Sequence, residues 1–121
     1  MATTPEVSAP VRYLGGTAVV DLPPQIDSTA ERALDQAYRA AAEHGAKTVL
    51  LNFGGVAFLS STGIALVVGI LARARKDGRT ITAAGLSDHY REIFEITRLS
   101  DFMRIYADER TALTDADGGK R

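Results

Sequence analysis

Strand and helix signals alternate along residues 11–113 of this chain, and that alternation leaves few folds open. Residues 11–14 (Val-Arg-Tyr-Leu) are a short strand candidate, and Gly15-Gly16 is a hairpin turn signal. Residues 17–22 (Thr-Ala-Val-Val-Asp-Leu) are a second strand, which Pro23 and Pro24 must stop because proline cannot donate to a ladder. Asp27 or Ser28 caps the first helix, and Ser28-Thr29-Ala30-Glu31 matches a capping box. Ala30, Ala33, Leu34, Ala37, Tyr38 and Ala41 then follow helical spacing on one face until Gly45 closes the helix. Residues 48–53 form the short, nearly continuous apolar run of a buried central strand. A second helix runs from about Thr62 or Gly63 to Asp77 and ends at Gly78, and residues 79–84 are another strand. Ser87 caps a third helix whose Tyr90, Ile93, Phe94 and Thr97 share a face. Residues 103–106 are a last short strand, and Asp108 caps a final short helix through Leu113. Strands separated by single helices favour parallel crossovers, while the opening hairpin must be antiparallel. The expected class is α/β: a mixed, mostly parallel sheet packed with about four helices.

A chain of 121 residues suits one domain. We expect residues 1–9 to be a disordered lead, 10–114 the domain and 115–121 a flexible tail. With no tryptophan and few aromatics, the core must be aliphatic. The absence of cysteine excludes disulfides, thiolate metal sites and cysteine nucleophiles, and fits a reducing compartment. No signal peptide is visible, and the longest apolar run, residues 64–72, is too short to span a bilayer. The expected location is therefore the cytoplasm, without membrane insertion. A net charge of -1 lacks the basic excess of a nucleic-acid binder. The densest basic run, Arg73, Arg75, Lys76 and Arg79, falls at the end of a helix, where cations suit the macrodipole.

Catalytic motifs are missing. There is no Walker A sequence, no Gly-x-Gly-x-x-Gly after a strand and no Gly-x-Ser-x-Gly elbow. His44 sits at a helix end and His89 in a polar first turn, and the two form no helical metal pair. We expect no metal, no cofactor and no enzyme activity; an enzyme with Ser61 as nucleophile would lack a convincing base.

The informative segment is residues 51–66. A buried strand exits through Gly54-Gly55, an apolar turn follows, then Ser60-Ser61-Thr62, then a helix. One of the three hydroxyls serves as N-cap. Three are more than a cap needs, and a helix N-terminus, with free N–H groups and a favourable dipole, also suits a phosphate group. Phosphorylation there would add roughly -1.5 to -2 charges to the local surface. Along the helix, Ile64, Val67, Val68 and Leu71 share a face expected to enter the core, which leaves Leu66 and Ile70 opposite. Two readings of that second face stand: a contact patch for a partner, or a surface buried by a neighbouring element or an oligomer.

On this segment the chain resembles the STAS family, the domain of bacterial anti-sigma-factor antagonists. The family pattern is an apolar turn, then Asp-Ser-Ser/Thr-Gly and Leu or Ile, matched by Val56-Ala57-Phe58-Leu59-Ser60-Ser61-Thr62-Gly63-Ile64. Ile26-Asp27 with Thr29-Ala30, and Ile93-Phe94-Glu95-Ile96-Thr97-Arg98-Leu99 against Leu-Phe-x-x-x-Gly-Leu, support it. The resemblance implies the STAS fold and an antagonist that binds an anti-sigma factor with a GHKL-type serine kinase fold, releasing a sigma factor. It implies phosphorylation by that kinase at Ser61, with Thr62 the lesser candidate, and reversal by a PP2C-type phosphatase. Asp27, Ser60, Thr62, Gly63, Leu66 and Ile70 are the implied partner-binding residues, and a homodimer is left open. The sequence departs from the family at Ser60, where the motif has Asp; at Pro24-Gln25-Ile26-Asp27, where it has Gly-Glu-Leu-Asp; and at Arg98, where it has Gly. The loss of the motif Asp keeps a second reading open, a STAS scaffold subunit of a stressosome-like or transporter-associated assembly with no phosphorylation cycle.

Overall fold

The computed structural model describes residues 7–118, with side chains as far as Asp115. Residues 1–6 of the expected lead and 119–121 of the expected tail lie outside that range. Five strands form the main sheet in the order β1-β2-β4-β6-β7, with β1 (Val11–Leu14), β2 (Thr17–Asp21), β4 (Thr48–Asn52), β6 (Thr80–Ala84) and β7 (Arg104–Tyr106). Only β1 runs antiparallel, paired to β2 through the Gly15-Gly16 turn; the other neighbours are parallel. The mixed, mostly parallel sheet expected from the alternation is thus present.

Alternation of side chains along the strands sorts the core into two layers. Ala18, Val20, Val49, Leu51, Ile81 and Ala83 face the main core, which the helices α1 (Glu31–Glu43), α2 (Ser61–Asp77) and α3 (Asp88–Ile96) cover. Val19, Leu50 and Ala84 face the other way and pack against Ala112 of α4 (Glu109–Gly118). Each central strand is therefore buried on both faces, which explains the nearly continuous apolar run of β4. Among the described residues no helix is long and apolar enough to cross a membrane.

The elements differ from expectation in four places. The final helix continues past Leu113 to Gly118, so residues 115–118 are helical rather than tail. The Ser28–Glu31 capping box does not form; Asp27 caps a 3-10 turn over Ser28–Ala30 by accepting from the Thr29 N–H, and α1 begins only at Glu31. Two strands of two residues each, β3 (Gln25–Ile26) and β5 (Phe58–Leu59), pair in parallel where only turns were expected. The fourth difference, the rotation of α2, bears on the site.

The basic run at the end of α2 is largely spent on structure. Arg73 pairs with Asp35 at 2.6 Å, and Arg79 donates to the carbonyls of Ala42 and Ala46, which close α1. His44 caps α1 and stacks on Tyr13 with ring centroids 3.7 Å apart.

Arg98 has φ +68°, the one non-glycine in the left-handed region among the described residues. The STAS pattern has Gly here, and the backbone explains why: an L side chain in that region costs energy that Gly avoids. The exposed Arg98–Asp101 pair at 2.7 Å offsets little of it. Arg98→Gly should therefore raise the thermal unfolding midpoint by roughly 2–5 °C in a melt followed by circular dichroism.

Candidate functional site

The site forms where β4 ends. Phe53 donates its N–H to the Ala84 carbonyl at 2.8 Å, and the chain then turns away through Gly54-Gly55. The carbonyl of Pro24 accepts from both Ala57 (2.7 Å) and Phe58 (3.1 Å), which starts the β3–β5 ribbon. A proline cannot donate to a ladder, but its carbonyl can accept from one. The ribbon ends with Ser60 N–H donating to Ile26 carbonyl at 3.0 Å, immediately before α2.

The three hydroxyls divide the work. Ser60 is the N-cap: its Oγ accepts from Gly63 N–H at 3.0 Å and donates to the Ile26 carbonyl at 3.3 Å. An Asp at this position could accept the first bond but not donate the second. The chain thus replaces the motif carboxylate with a neutral cap that also ties α2 to β3. Ser61 and Thr62 are exposed, and neither hydroxyl makes a hydrogen bond within the described residues. Their backbone N–H groups fall in the first turn of α2, where no intrahelical acceptor exists.

Gly63 explains the close docking of this helix. A Cβ there would lie 2.1 Å from the Ile26 carbonyl oxygen and 2.9 Å from the Leu59 side chain. Its contact with Ile26 sets the rotation of α2. The buried line is Gly63, Val67, Ile70 and Ala74, about one residue, or roughly 100°, away from the expected face. This corrects two placements: Ile70 is buried at 6% exposure, and Val68, expected in the core, is 43% exposed. Leu66 is half-buried against the core, as are Ile64 and Leu71. The outward face instead carries Ser61, Ala65, Val68, Gly69 and Ala72.

Asp27 lies at the start of the neighbouring turn. Its carboxylate accepts from the Thr29 hydroxyl, the Gln25 amide at 2.6 Å and the Thr29 N–H at 2.9 Å, and these bonds hold its carboxyl below the usual carboxylate range. The bonds engage both oxygens of a cap, so its first role is to fix the 3-10 turn beside β3. Of the residues singled out in the sequence, the structure gathers Ser60, Ser61, Thr62 and Gly63 at one helix start and places Asp27 next to the Ile26 carbonyl they touch. Ile70 belongs to the helix's inner side.

Sequence reasoning missed two residues. Phe58, in the apolar turn, is 49% exposed beside the hydroxyl cluster. Tyr90, read only as part of an apolar face on α3, accepts from the Leu59 N–H at 3.0 Å and so clamps the loop. Phe58 left no signal in the sequence, because only the two-residue strand, in which neighbouring side chains face opposite ways, turns it outward while Leu59 is buried.

The comparisons with known proteins agree with this architecture. A family model described as "Mlab, STAS domain" matches residues 11–105. An anti-sigma-B factor antagonist of Staphylococcus aureus is 32% identical over 63 residues, which are 52% of this chain and 58% of that protein. The chain thus matches little more than half the length of this relative. Among solved structures, the phosphorylated form of the Bacillus cell-fate determinant SpoIIAA superposes with a TM-score of 0.71 at 22% identity, covering 90% of this chain and 99% of that one. An anti-sigma factor antagonist from Mycobacterium paratuberculosis gives a TM-score of 0.76 at 22% identity, over 93% and 97% of the two chains. At such identities the structural likeness speaks for the fold, and the family match covers most of the chain: the protein belongs to the STAS domain family.

Proposed function

We propose that this protein is an anti-sigma-factor antagonist, a binding regulator rather than an enzyme, which sequesters an anti-sigma factor and is switched by phosphorylation of Ser61. The observation that carries the reading is the separation of roles at the start of α2. Ser60 meets the structural need for a cap, so Ser61 is left exposed and unbonded at the first helical position. Phosphate at Ser61 would meet free N–H groups and the positive end of the helix dipole, so the domain tolerates it. A partner surface pressed against the same point would meet new charge and lose contact. Phe58 and the small-residue face of Ala65, Val68, Gly69 and Ala72 form the contact surface on this reading, with Phe58 as its aromatic anchor. The partner would be a kinase of the GHKL-type fold, and a PP2C-type phosphatase would reset the switch. Names of the Staphylococcus relatives support the partner class.

Ser60 in place of the motif Asp favours one alternative, a STAS scaffold subunit that binds without phosphorylation. Pull-downs from the native cell extract with wild type, Ser61→Ala and Ser61→Asp separate the two readings. Wild type and Ser61→Ala should capture a GHKL-type kinase identified by mass spectrometry, with capture by Ser61→Asp reduced about tenfold or more. Equal capture by all three would leave Ser61 as a bystander and establish the constitutive scaffold.

A further inference from the structure

A charged cluster at the end of the sheet where β4 gives way to the site connects α4 to the loop that bears the hydroxyls. Arg12, on edge strand β1, grips two carboxylates at once. Its Nε and Nη2 donate to the two oxygens of Asp21, both at 2.7 Å, and its Nη1 and Nη2 donate to those of Glu109 at 2.9 and 2.6 Å. Asp21 in turn accepts from the Asn52 side-chain amide at 2.8 Å. The other end of that amide, Oδ1, accepts from Gly54 N–H at 3.0 Å. Gly54 opens the turn that leads to Phe58 and Ser60, and its backbone is wedged against Gly85, where a Cβ would stand 2.9 Å from the Gly54 nitrogen.

The chemistry of this chain of bonds has only one consistent arrangement. The Asn52 amide must point Nδ2 at a carboxylate and Oδ1 at an N–H; a flipped amide would fail at both ends. Asp21 sets that orientation. The Asn52 Nδ2 also lies 3.5 Å from Glu109, so two carboxylates converge on one neutral amide. Only the guanidinium lets them do so without repulsion, and only its planar fork can engage both side on. Arg12 also holds the Asp21 carboxyl below its usual range.

We infer that Arg12 is a positioning residue for the partner-binding loop: it holds Asp21 and Glu109 together, Asp21 orients Asn52, and Asn52 fixes Gly54. The attachment of α4 is thereby coupled to the geometry of the loop 53–60, and a change at Glu109 is felt at the start of α2.

Hydrogen exchange of the full chain, read residue by residue by NMR, tests this. Arg12→Met should speed exchange of the Gly54 amide about tenfold while leaving the Leu51 amide in β4 unchanged. Asn52→Leu, which takes away the acceptor of the Gly54 N–H itself, should do the same. Asp21→Asn, whose amide cannot accept from both Arg12 and Asn52 as the carboxylate does, should raise Gly54 exchange about threefold. The inference is overturned if Arg12→Met lowers the melting temperature with Gly54 exchange unmoved, or if Asp21→Asn leaves Gly54 at the wild-type rate. Should Arg12→Met fail to fold, Glu109→Gln, which removes one charge and keeps an acceptor, serves in its place, with about threefold faster Gly54 exchange expected and none overturning the coupling. These exchange rates do not depend on the identity of any partner, so they stand or fall apart from the antagonist reading.

Discussion

Gly63→Ala should cost this domain about 3 kcal/mol, although alanine is the better helix former. Two effects oppose each other. In a helix interior alanine gains up to about 1 kcal/mol over glycine. At Gly63 the new methyl would stand 2.1 Å from the Ile26 carbonyl oxygen, well inside contact distance. That oxygen cannot retreat cheaply, because it accepts from Ser60 N–H and Ser60 Oγ and is part of the β3–β5 ribbon. The clash wins, and α2 must lift off β3 or lose its cap. A fall of roughly 10–20 °C in the melting midpoint is expected. Gly69 is the control. It lies on the exposed face of the same helix, where a Cβ would meet nothing within 4 Å, so Gly69→Ala should stabilise by up to about 1 kcal/mol. Opposite signs for two Gly→Ala changes six residues apart in one helix would locate the effect in the Ile26 contact. A Gly63→Ala protein that melts no lower than wild type would mean that the ribbon yields, and that the close docking of α2 is not what places Ser61.

The same contact explains what could and could not be read from the sequence. The order of the main strands and helices was legible because local signals agree: Gly15-Gly16 makes the hairpin, Gly45 and Gly78 both adopt the left-handed conformation that ends a helix, and Ser87 and Asp108 both cap. The β3–β5 ribbon was not legible. Two residues carry no periodicity, and their pairing spans more than thirty residues of chain, with Pro23-Pro24 just ahead of β3. The rotation of α2 was not legible either. Ile64, Leu66, Val67, Val68, Ile70 and Leu71 supply apolar side chains over more than half of the helix's circumference, so spacing alone permits more than one inward face. A backbone oxygen, that of Ile26, makes the choice, and no hydropathy pattern records it. The hydroxyl cluster was legible as a cluster, but which of its members caps required the bond from Gly63 to Ser60. Arg98 runs the other way: the departure from the family pattern at that position acquires a physical meaning only through its positive φ.

Phe94→Ala should be the most damaging single truncation of α3, at about 3–5 kcal/mol. Phe94 is fully buried, is the sole buried residue of its helix and meets Phe53 edge to face with centroids 5.7 Å apart. Against a total stability of about 5–15 kcal/mol, that loss leaves a marginal fold. Its functional consequence follows from position. Phe53 is the last residue before the Gly54 turn, and Tyr90, one helical turn before Phe94, receives the Leu59 N–H. Removing the Phe94 ring therefore loosens the site loop at both of its ends. Tyr90→Phe separates the two contributions, since it removes the acceptor and keeps the ring; Leu59 is then left without its partner at a cost of about 1 kcal/mol. Amide exchange at Leu59 should rise in both variants, with by far the larger global destabilisation in Phe94→Ala. If Phe94→Ala lowers the melting point while Leu59 keeps its protection beyond what the lost stability allows, the loop is held by the β3–β5 ribbon without help from α3. Exchange at Leu59 in Tyr90→Phe faster than its small fall in melting point accounts for would instead make the tyrosine a specific support of the loop, and place the surface around Ser61 under the control of three elements: β3, α2 and α3.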